Sequence, residues 1–503
     1  MKKGPLSAFH WAFALVASGA LIAGCQSSRH AHSDRPVTFL SGDPAYSADP
    51  VDYDAGAHQL VFASVHAWLV SNYRVGAYEG QLAETWRSSK DFKEWTFTFR
   101  PNMRFENGDA IAPRDLADSW LRLIRVLKSR HSEPDALKNL VGYGDFPKRT
   151  ATISGIKYDE RSLTLRFSKP APKFLSQITF GTYALVHPSC YDHKTGAWIA
   201  QKRTIASGPY RIAEWDGRHL LLTLRTDYPA ALRHPRPLNQ IDVRWDDDAK
   251  LDEDLIYDSS RKTKLAKRGF EYHGGAASGI VYVRVHSWLD PASPFSNQAF
   301  RRRIRLAFYD ELERSSFHPD KSFFPLIFKG VHEMSAVLTQ ADASYTVPRS
   351  ASIRYTVGDS TTTMGVGGPQ LKTAVERLGL RFSVVAVPFE QQVAENISKG
   401  PHFQDDLAAL ATDIDLDDPD SDIRFMIGTK EGISLPDPTG RLTSAIRHSP
   451  IDMQKVNEIL WDDAIIWPVT HQSSGIWARP ELDFSLVNVL LPPTPLYLIG
   501  WKS

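Results

Sequence analysis

The sequence predicts an α/β protein of two or three globular units, and three observations carry that reading. The chain has 503 residues, several times a usual domain of about 100–150. Its first half is dense in short alternating segments and turn punctuation, which reads as strands. Its second half runs β-α-β-α-β, the pattern of parallel strands joined by right-handed crossovers.

The N-terminus is a targeting segment rather than part of the fold. Lys2 and Lys3 precede an apolar run from Trp11 to Ala23, too short to span a bilayer and suited to the core of an export signal. The run ends in Leu21-Ile22-Ala23-Gly24-Cys25, which resembles the bacterial lipobox, where the cysteine thiol is lipidated and the chain is cut before it; an ordinary secretory signal is the competing reading. Residues 1–24 are therefore expected to be a signal peptide and 25–36 a lipid-anchored tether, in which His30 and His32 form a weak metal pattern. With Cys25 acylated, Cys190 has no disulfide partner and is expected to be a buried free thiol. No other apolar run is long enough to cross a membrane, so the body is expected in water outside the cytoplasm, held by acyl chains.

Within the body, Trp95, Phe97 and Phe99 alternate with Thr96, Thr98 and Arg100, a half-buried strand. Pro113 suits a first helical turn, and Leu116, Trp120, Leu123, Ile124 and Leu127 follow at helical spacing. Ser162–Phe167 and His219–Arg225 read as strands, and Ser207–Gly217 as a turn feeding another. Further on, Ser352–Val357, Leu380–Val387 and Asp406–Thr412 read as strands, separated by helices at Gln370–Leu378 and Glu390–Gly400 that each end at glycine.

Composition narrows the function classes. With 42% hydrophobic, 23% charged and 11% aromatic residues the chain is ordinary globular protein. Thirteen tryptophans suit core, and also a cavity with flat amphipathic walls. The formal charge is +1; without residues 1–24 it is −1, with 57 basic against 58 acidic residues. That balance gives no footprint for nucleic acid. The basic run Arg301–Arg305 is expected to be the solvated face of an amphipathic helix.

The segment Thr412–Asp422 holds six aspartates in eleven residues, just where the third of those strands ends. In open parallel sheets, ligands bind outside the carboxyl ends of strands. An EF-hand loop fits Asp413, Asp415 and Asp417 but fails at Asp418, where glycine is needed, and at Arg424, where a bidentate glutamate is needed. After Pro419, Asp420 is expected to cap a helix starting at Ser421, with Asp422 near its positive end. That leaves Asp413 and Asp415 for a ligand's ammonium group, with a calcium site of another kind as the alternative. No G-x-S-x-G elbow, H-E-x-x-H pair or P-loop occurs, and His273-Gly274-Gly275, though similar to an oxyanion loop, has no nucleophile motif beside it. A hydrolase built on dispersed carboxylates is the minor enzymatic reading.

Four stretches together resemble a known family. Gly80–Leu123 is similar to the hallmark region of the family 5 extracellular solute-binding proteins, the peptide-binding receptors of ABC importers. Ser207–Trp215 resembles their Gly-Pro-Tyr turn, Pro294–Glu313 their arginine-bearing helix and Glu458–Val469 a late segment of theirs. In order, the matches run from about Ser41 to Trp501.

The resemblance implies a two-lobed periplasmic-binding-protein-like (class II) fold closing by hinge motion, with a subdomain inserted in the first lobe. Residues 37–64, 181–275 and 471–503 would form lobe I, 65–180 the insertion and 276–470 lobe II. It implies a lipid-anchored monomer that captures peptides between the lobes and delivers them to ABC permease and ATPase subunits, with no covalent chemistry, cofactor, metal or nucleic acid. The family's aspartate that pairs with the peptide amino terminus, counted back from the following proline, falls on Asp415, with Asp413, Thr412 and Ala411 beside it. Tyr46, Trp215 and Trp288 are candidate cleft walls and equally candidate core. Ala411 and Thr412 replace the usual Gly-Trp, and Leu416 a tyrosine, which leaves open another solute such as a nickel chelate or sugar. A sensing module without an importer is the further alternative.

Overall fold

The computed structural model describes residues 35–41, 45, 47–52, 57–75, 78–130, 132–200, 204–216, 218–245, 251–257, 262–275, 279–335, 337–348, 351–358, 367–387, 405–414, 419–427, 437, 439–448, 450–472, 475–488 and 495–503. The signal, the tether up to residue 34 with Cys25, the predicted helix Glu390–Gly400, Tyr46 and Asp415 lie outside the described residues.

Three sheets organise the chain. The first has seven strands in the order Glu271–Gly274, Gly475–Ala478, Leu255–Ile256, Val37–Leu40, Gln240–Arg244, His219–Leu224 and Tyr210–Trp215. Val37–Leu40 runs parallel to both of its neighbours, and the other pairings are antiparallel. Leu220, Leu222 and Leu224 alternate into its core, as the period of two requires.

The second sheet has four antiparallel strands, Ala83–Ser88, Glu94–Phe99, Ser162–Arg166 and Ile156–Tyr158. Trp95, Phe97 and Phe99 are buried, and the helix Pro113–Ser129 brings Leu116, Trp120, Leu123 and Ile124 into the same core. Pro113 opens the helix, and Asp115 accepts a hydrogen bond from the Ala112 N–H at 2.8 Å. One buried ion pair ties this body to the first sheet's chain: both guanidinium nitrogens of Arg122 reach the Asp49 carboxylate, at 2.7 and 2.5 Å. The same guanidinium lies 5.2 Å from the Tyr191 ring centroid and 5.4 Å from that of Trp198.

The third sheet has five strands in the order Arg381–Val387, Ser352–Gly358, Leu407–Asp413, Gly279–Val285 and Ile466–Gln472. The first three are parallel, as the alternation predicts; the last two pair antiparallel. Every residue of Gly279–Val285 is buried, because layers cover both faces. Val283 and Val285 enter a core with the helices Gln298–Arg314 and Gly368–Arg377. Ile280 and Tyr282 enter another with Pro419–Ile427, Arg441–Ala445 and Met453–Asp463. Pro468 is tolerated because Ile466–Gln472 is an edge strand with a register shift opposite Val281 and Tyr282.

Two expectations are corrected. Arg301–Arg305 is no solvated face. Arg301 and Arg305 are buried, and they donate to the Asp463 and Trp461 carbonyls, while Arg302 donates to that of Asp462. These are the last carbonyls of the helix Met453–Asp463, where the dipole favours cations. Second, the helix expected to start at Ser421 starts at Pro419; the Asp420 carboxylate accepts from the Ile451 N–H at 3.1 Å instead of capping. Trp68, Trp120 and Trp467 are fully buried, so of the two readings of the tryptophans these three take the core. Cys190 is a buried free thiol, 3.7 Å from Thr204 Oγ1.

Candidate functional site

The chain passes between the seven- and five-stranded sheets twice, from Gly274 to Gly279 and from Gln472 to Gly475. Gly274 and Gly475 are register partners at the end of one sheet, and Gly279 and Gln472 are partners at the end of the other. Three residue steps reach at most about 11 Å, so the two sheet ends lie close at the second passage.

Those ends are carboxyl ends. In the seven-stranded sheet, Val37–Leu40, Gln240–Arg244 and Leu255–Ile256 run in the same direction as Glu271–Gly274, so Leu40, Arg244 and Ile256 end on Gly274's side. In the five-stranded sheet Asp413 pairs with Gly279, and the strands parallel to it end at Gly358 and Val387 on that side. The parallel strands of both sheets thus point their carboxyl ends at the gap that the two passages bridge. Backbone groups there have run out of ladder partners, and the following loops project side chains without breaking the sheets.

The five-stranded rim carries Ala411 and Thr412, opposite Val281 and Ile280, and then Asp413 as the last residue of its strand. Ala411 is exposed and Thr412 half-buried. On the other side of Ile280, one strand further along the rim, His471 holds Asp320: Nδ1 lies 3.3 Å from the carboxylate, which also accepts from the His471 backbone N–H. Burial alone would raise the Asp320 carboxyl, but these bonds from His471 hold it below its ordinary value. On the seven-stranded rim, His219 lies 3.1 Å from Asp216 and 3.7 Å from Glu214, and Arg244 bonds Asp242 at 2.6 Å. The rim is therefore polar and mixed in charge.

Trp215 ends the edge strand Tyr210–Trp215 on the gap side and rests half-buried on that sheet's core. Trp288, a candidate wall and equally a candidate core residue, lies elsewhere. It follows the far end of Gly279–Val285, in the short turn Ser287–Leu289, and packs on the five-stranded sheet's core. Seven residues of strand, about 23 Å, separate that end from the gap. Sequence reasoning missed the His471–Asp320 pair and the glycines of the passages. The one signal was His273-Gly274-Gly275, which is no oxyanion loop: the His273 ring stacks on Phe484 at 3.9 Å.

Residues 77–308 match the family model of the bacterial extracellular solute-binding proteins, family 5. The dipeptide-binding protein DppE of Bacillus subtilis is 30% identical over 146 residues, 27% of this chain and 26% of DppE, so the chain matches about a quarter of that relative's length. Two solved structures share the fold across nearly the whole chain. OppA of Haemophilus influenzae, in complex with RPPGFSPFR, has a TM-score of 0.75 and 13% identity over 93% of this chain and 100% of its own. OppA of Listeria monocytogenes, bound to peptide, has a TM-score of 0.75 and 16% identity over 94% and 100%. The architecture is thus the two-lobed class II binding-protein fold, and the family's members are binding receptors rather than enzymes. With a little under half of its length matched and this fold around it, the chain is similar to the family 5 bacterial extracellular solute-binding proteins.

Proposed function

We propose that this protein captures peptides in the gap between the two sheet ends and delivers them to an ABC importer, anchored to the outer face of a membrane through lipid on Cys25. In this reading lobe I comprises residues 37–64, 181–275 and 471–503, the insertion 65–180 and lobe II 276–470. The observation that carries it is the convergence of parallel-strand carboxyl ends from both sheets on one gap bridged by two short passages. That is the layout of a site that opens and closes around a guest. The strand Leu407–Asp413 delivers the chain to the aspartate-rich segment at that rim, where Asp415 would meet a peptide's ammonium group. An extended peptide would take main-chain hydrogen bonds from the rim, so that its side chains matter little. A dipeptide-binding relative and peptide-bound structural neighbours support a peptide as the guest.

The test is mass spectrometry of what co-purifies with the protein, followed by calorimetric titration with the solute found. Short peptides bound one per chain support the reading. A nickel chelate or sugar as the sole guest overturns the substrate class and leaves the receptor. An intact-mass measurement of the membrane-extracted protein reads the anchor: acylation on a chain beginning at Cys25 is expected, and an unmodified Cys25 refutes it.

A further inference from the structure

We infer that the four-stranded body carries a second binding site, a basic recess that takes a multivalent phosphate-bearing anion. The recess, open to solvent and about 910 Å³ in volume, lies where the last turn of the helix Pro113–Ser129 meets residues 147–151 and the turn at Lys194. None of the rim residues described above lines it.

Its charge is one-sided. Arg125, Arg130, Lys148, Arg149 and Lys194 line it and, among the described residues, no carboxylate does. Arg130 is paired with Asp52 at 3.1 Å and Arg149 with Asp145 at 3.2 Å. Arg125, Lys148 and Lys194 make no ion pair among the described residues. A basic helix C-terminus needs no ligand to explain it, since the dipole attracts cations there. That accounts for Arg125 and Arg130. It does not account for Lys148, Arg149 and Lys194, which two other segments bring to the same space against mutual repulsion.

The walls are held independently of any guest. Lys128 Nζ donates to the carbonyls of Tyr143 and Phe146 at 2.9 and 2.6 Å, fixing the approach to residues 147–151. Arg125 donates to the His193 carbonyl at 3.1 Å, and its guanidinium lies 5.3 Å from the Phe146 ring centroid. Asp192 accepts from the N–H groups of Lys194 and Thr195 and so shapes the third wall. Cations presented from preformed walls lose little freedom on binding.

Lys148 and Lys194, without an ion pair among the described residues, together call for more than one negative charge. A single carboxylate supplies one; a di- or triphosphate, or several headgroups of an anionic lipid surface, supplies enough. The guanidinium fork and the lysine point charges suit phosphate oxygens.

The test uses the full chain with two probes, sodium tripolyphosphate and vesicles of phosphatidylglycerol with phosphatidylcholine vesicles as control. Lys148 and Lys194 are exposed, so the variant Lys148→Glu/Lys194→Glu is expected to fold. The wild type is expected to bind at least one probe, with affinity falling as salt rises, and the variant to bind it at least about tenfold more weakly. Peptide binding and the melting temperature are expected to stay unchanged. Binding of tripolyphosphate alone assigns a soluble phosphate; binding of anionic vesicles alone assigns headgroups. No binding of either probe by the wild type, or equal binding by the variant, overturns the site. Peptide titration in the same samples reads the gap separately, so loss of one reading leaves the other intact.

Discussion

Gly274 and Gly475 face each other as register partners where the chain leaves the seven-stranded sheet, and the Tyr272 ring occupies the space a side chain on either would need. For Gly274 the neighbours in that space are all atoms of the Tyr272 ring and hydroxyl. For Gly475 they include the Cα of Gly274, 2.8 Å from where its Cβ would stand.

The two glycines therefore differ in what rescues them. Gly274→Ala is expected to cost about 1–3 kcal/mol by overpacking, and most of that loss is expected to vanish when Tyr272→Ala is added. Gly475→Ala is expected to stay costly in both backgrounds, because backbone rather than a side chain stands in the way. Urea denaturation of the three single and two double variants measures this; equal rescue at both sites would contradict the geometry.

Asp415→Asn is expected to weaken binding of peptides with a free amino terminus and to leave N-acetylated peptides nearly unaffected. A charge-assisted hydrogen bond contributes about 1.5–3 kcal/mol, roughly a tenfold to hundredfold loss in affinity. Calorimetry with paired free and acetylated peptides checks it, and equal loss for both removes Asp415 from the recognition of the ammonium group.

Arg305 lies 3.8 Å from the Trp461 ring centroid and donates to the Trp461 carbonyl at 2.7 Å; burial lowers its pKa to about 10, still charged at neutral pH. Arg305→Met is expected to destabilise the protein by about 1.5–3 kcal/mol. Lysine should restore only part, since it lacks the planar fork. Arg314→Met is the control: its side chain is 57% exposed, and Glu311 keeps Arg377 as a partner. It is expected to change stability by less than about 0.5 kcal/mol.

His66 is fully buried with Nε2 2.9 Å from the Ala48 carbonyl, and burial lowers its pKa to about 4 against an ordinary 6.5. The folded protein thus keeps the ring neutral while the unfolded chain takes up a proton below pH 6.5. Its effect is absent above that value and grows as pH falls towards 4, to a loss of up to about 3 kcal/mol. His66→Gln is expected to flatten the melting temperature across that interval, measured from pH 7 to 4.5; an unchanged slope would refute the assignment.

How much was legible follows from how locally each signal is written. Trp95, Phe97 and Phe99 declare their strand because alternation against one core is a property of neighbouring residues. The parallel trio Ser352–Gly358, Arg381–Val387 and Leu407–Asp413 was readable for the same reason. Gly279–Val285, buried on both faces, has no alternation to read, so its antiparallel place beside them was hidden. The arginines of Gln298–Arg314 looked solvated because the carbonyls that hold them lie about 160 residues away. Trp215 and Trp288 could not be told apart, since periodicity gives the face of a strand and not which end of the sheet meets the gap. The gap itself became visible only once two distant passages were found on paired rungs.

The Arg122–Asp49 pair bears on how such proteins exchange parts. The family's matched middle, residues 77–308, contains the guanidinium but not the carboxylate. A chimera that transplanted this middle onto a foreign N-terminal segment would bring a cation into a dry slot with no counter-ion, a defect of about 3–5 kcal/mol. Recombination between relatives therefore has to carry two separated pieces of chain together, and a junction drawn near residue 65 cuts through a charge partnership rather than around it.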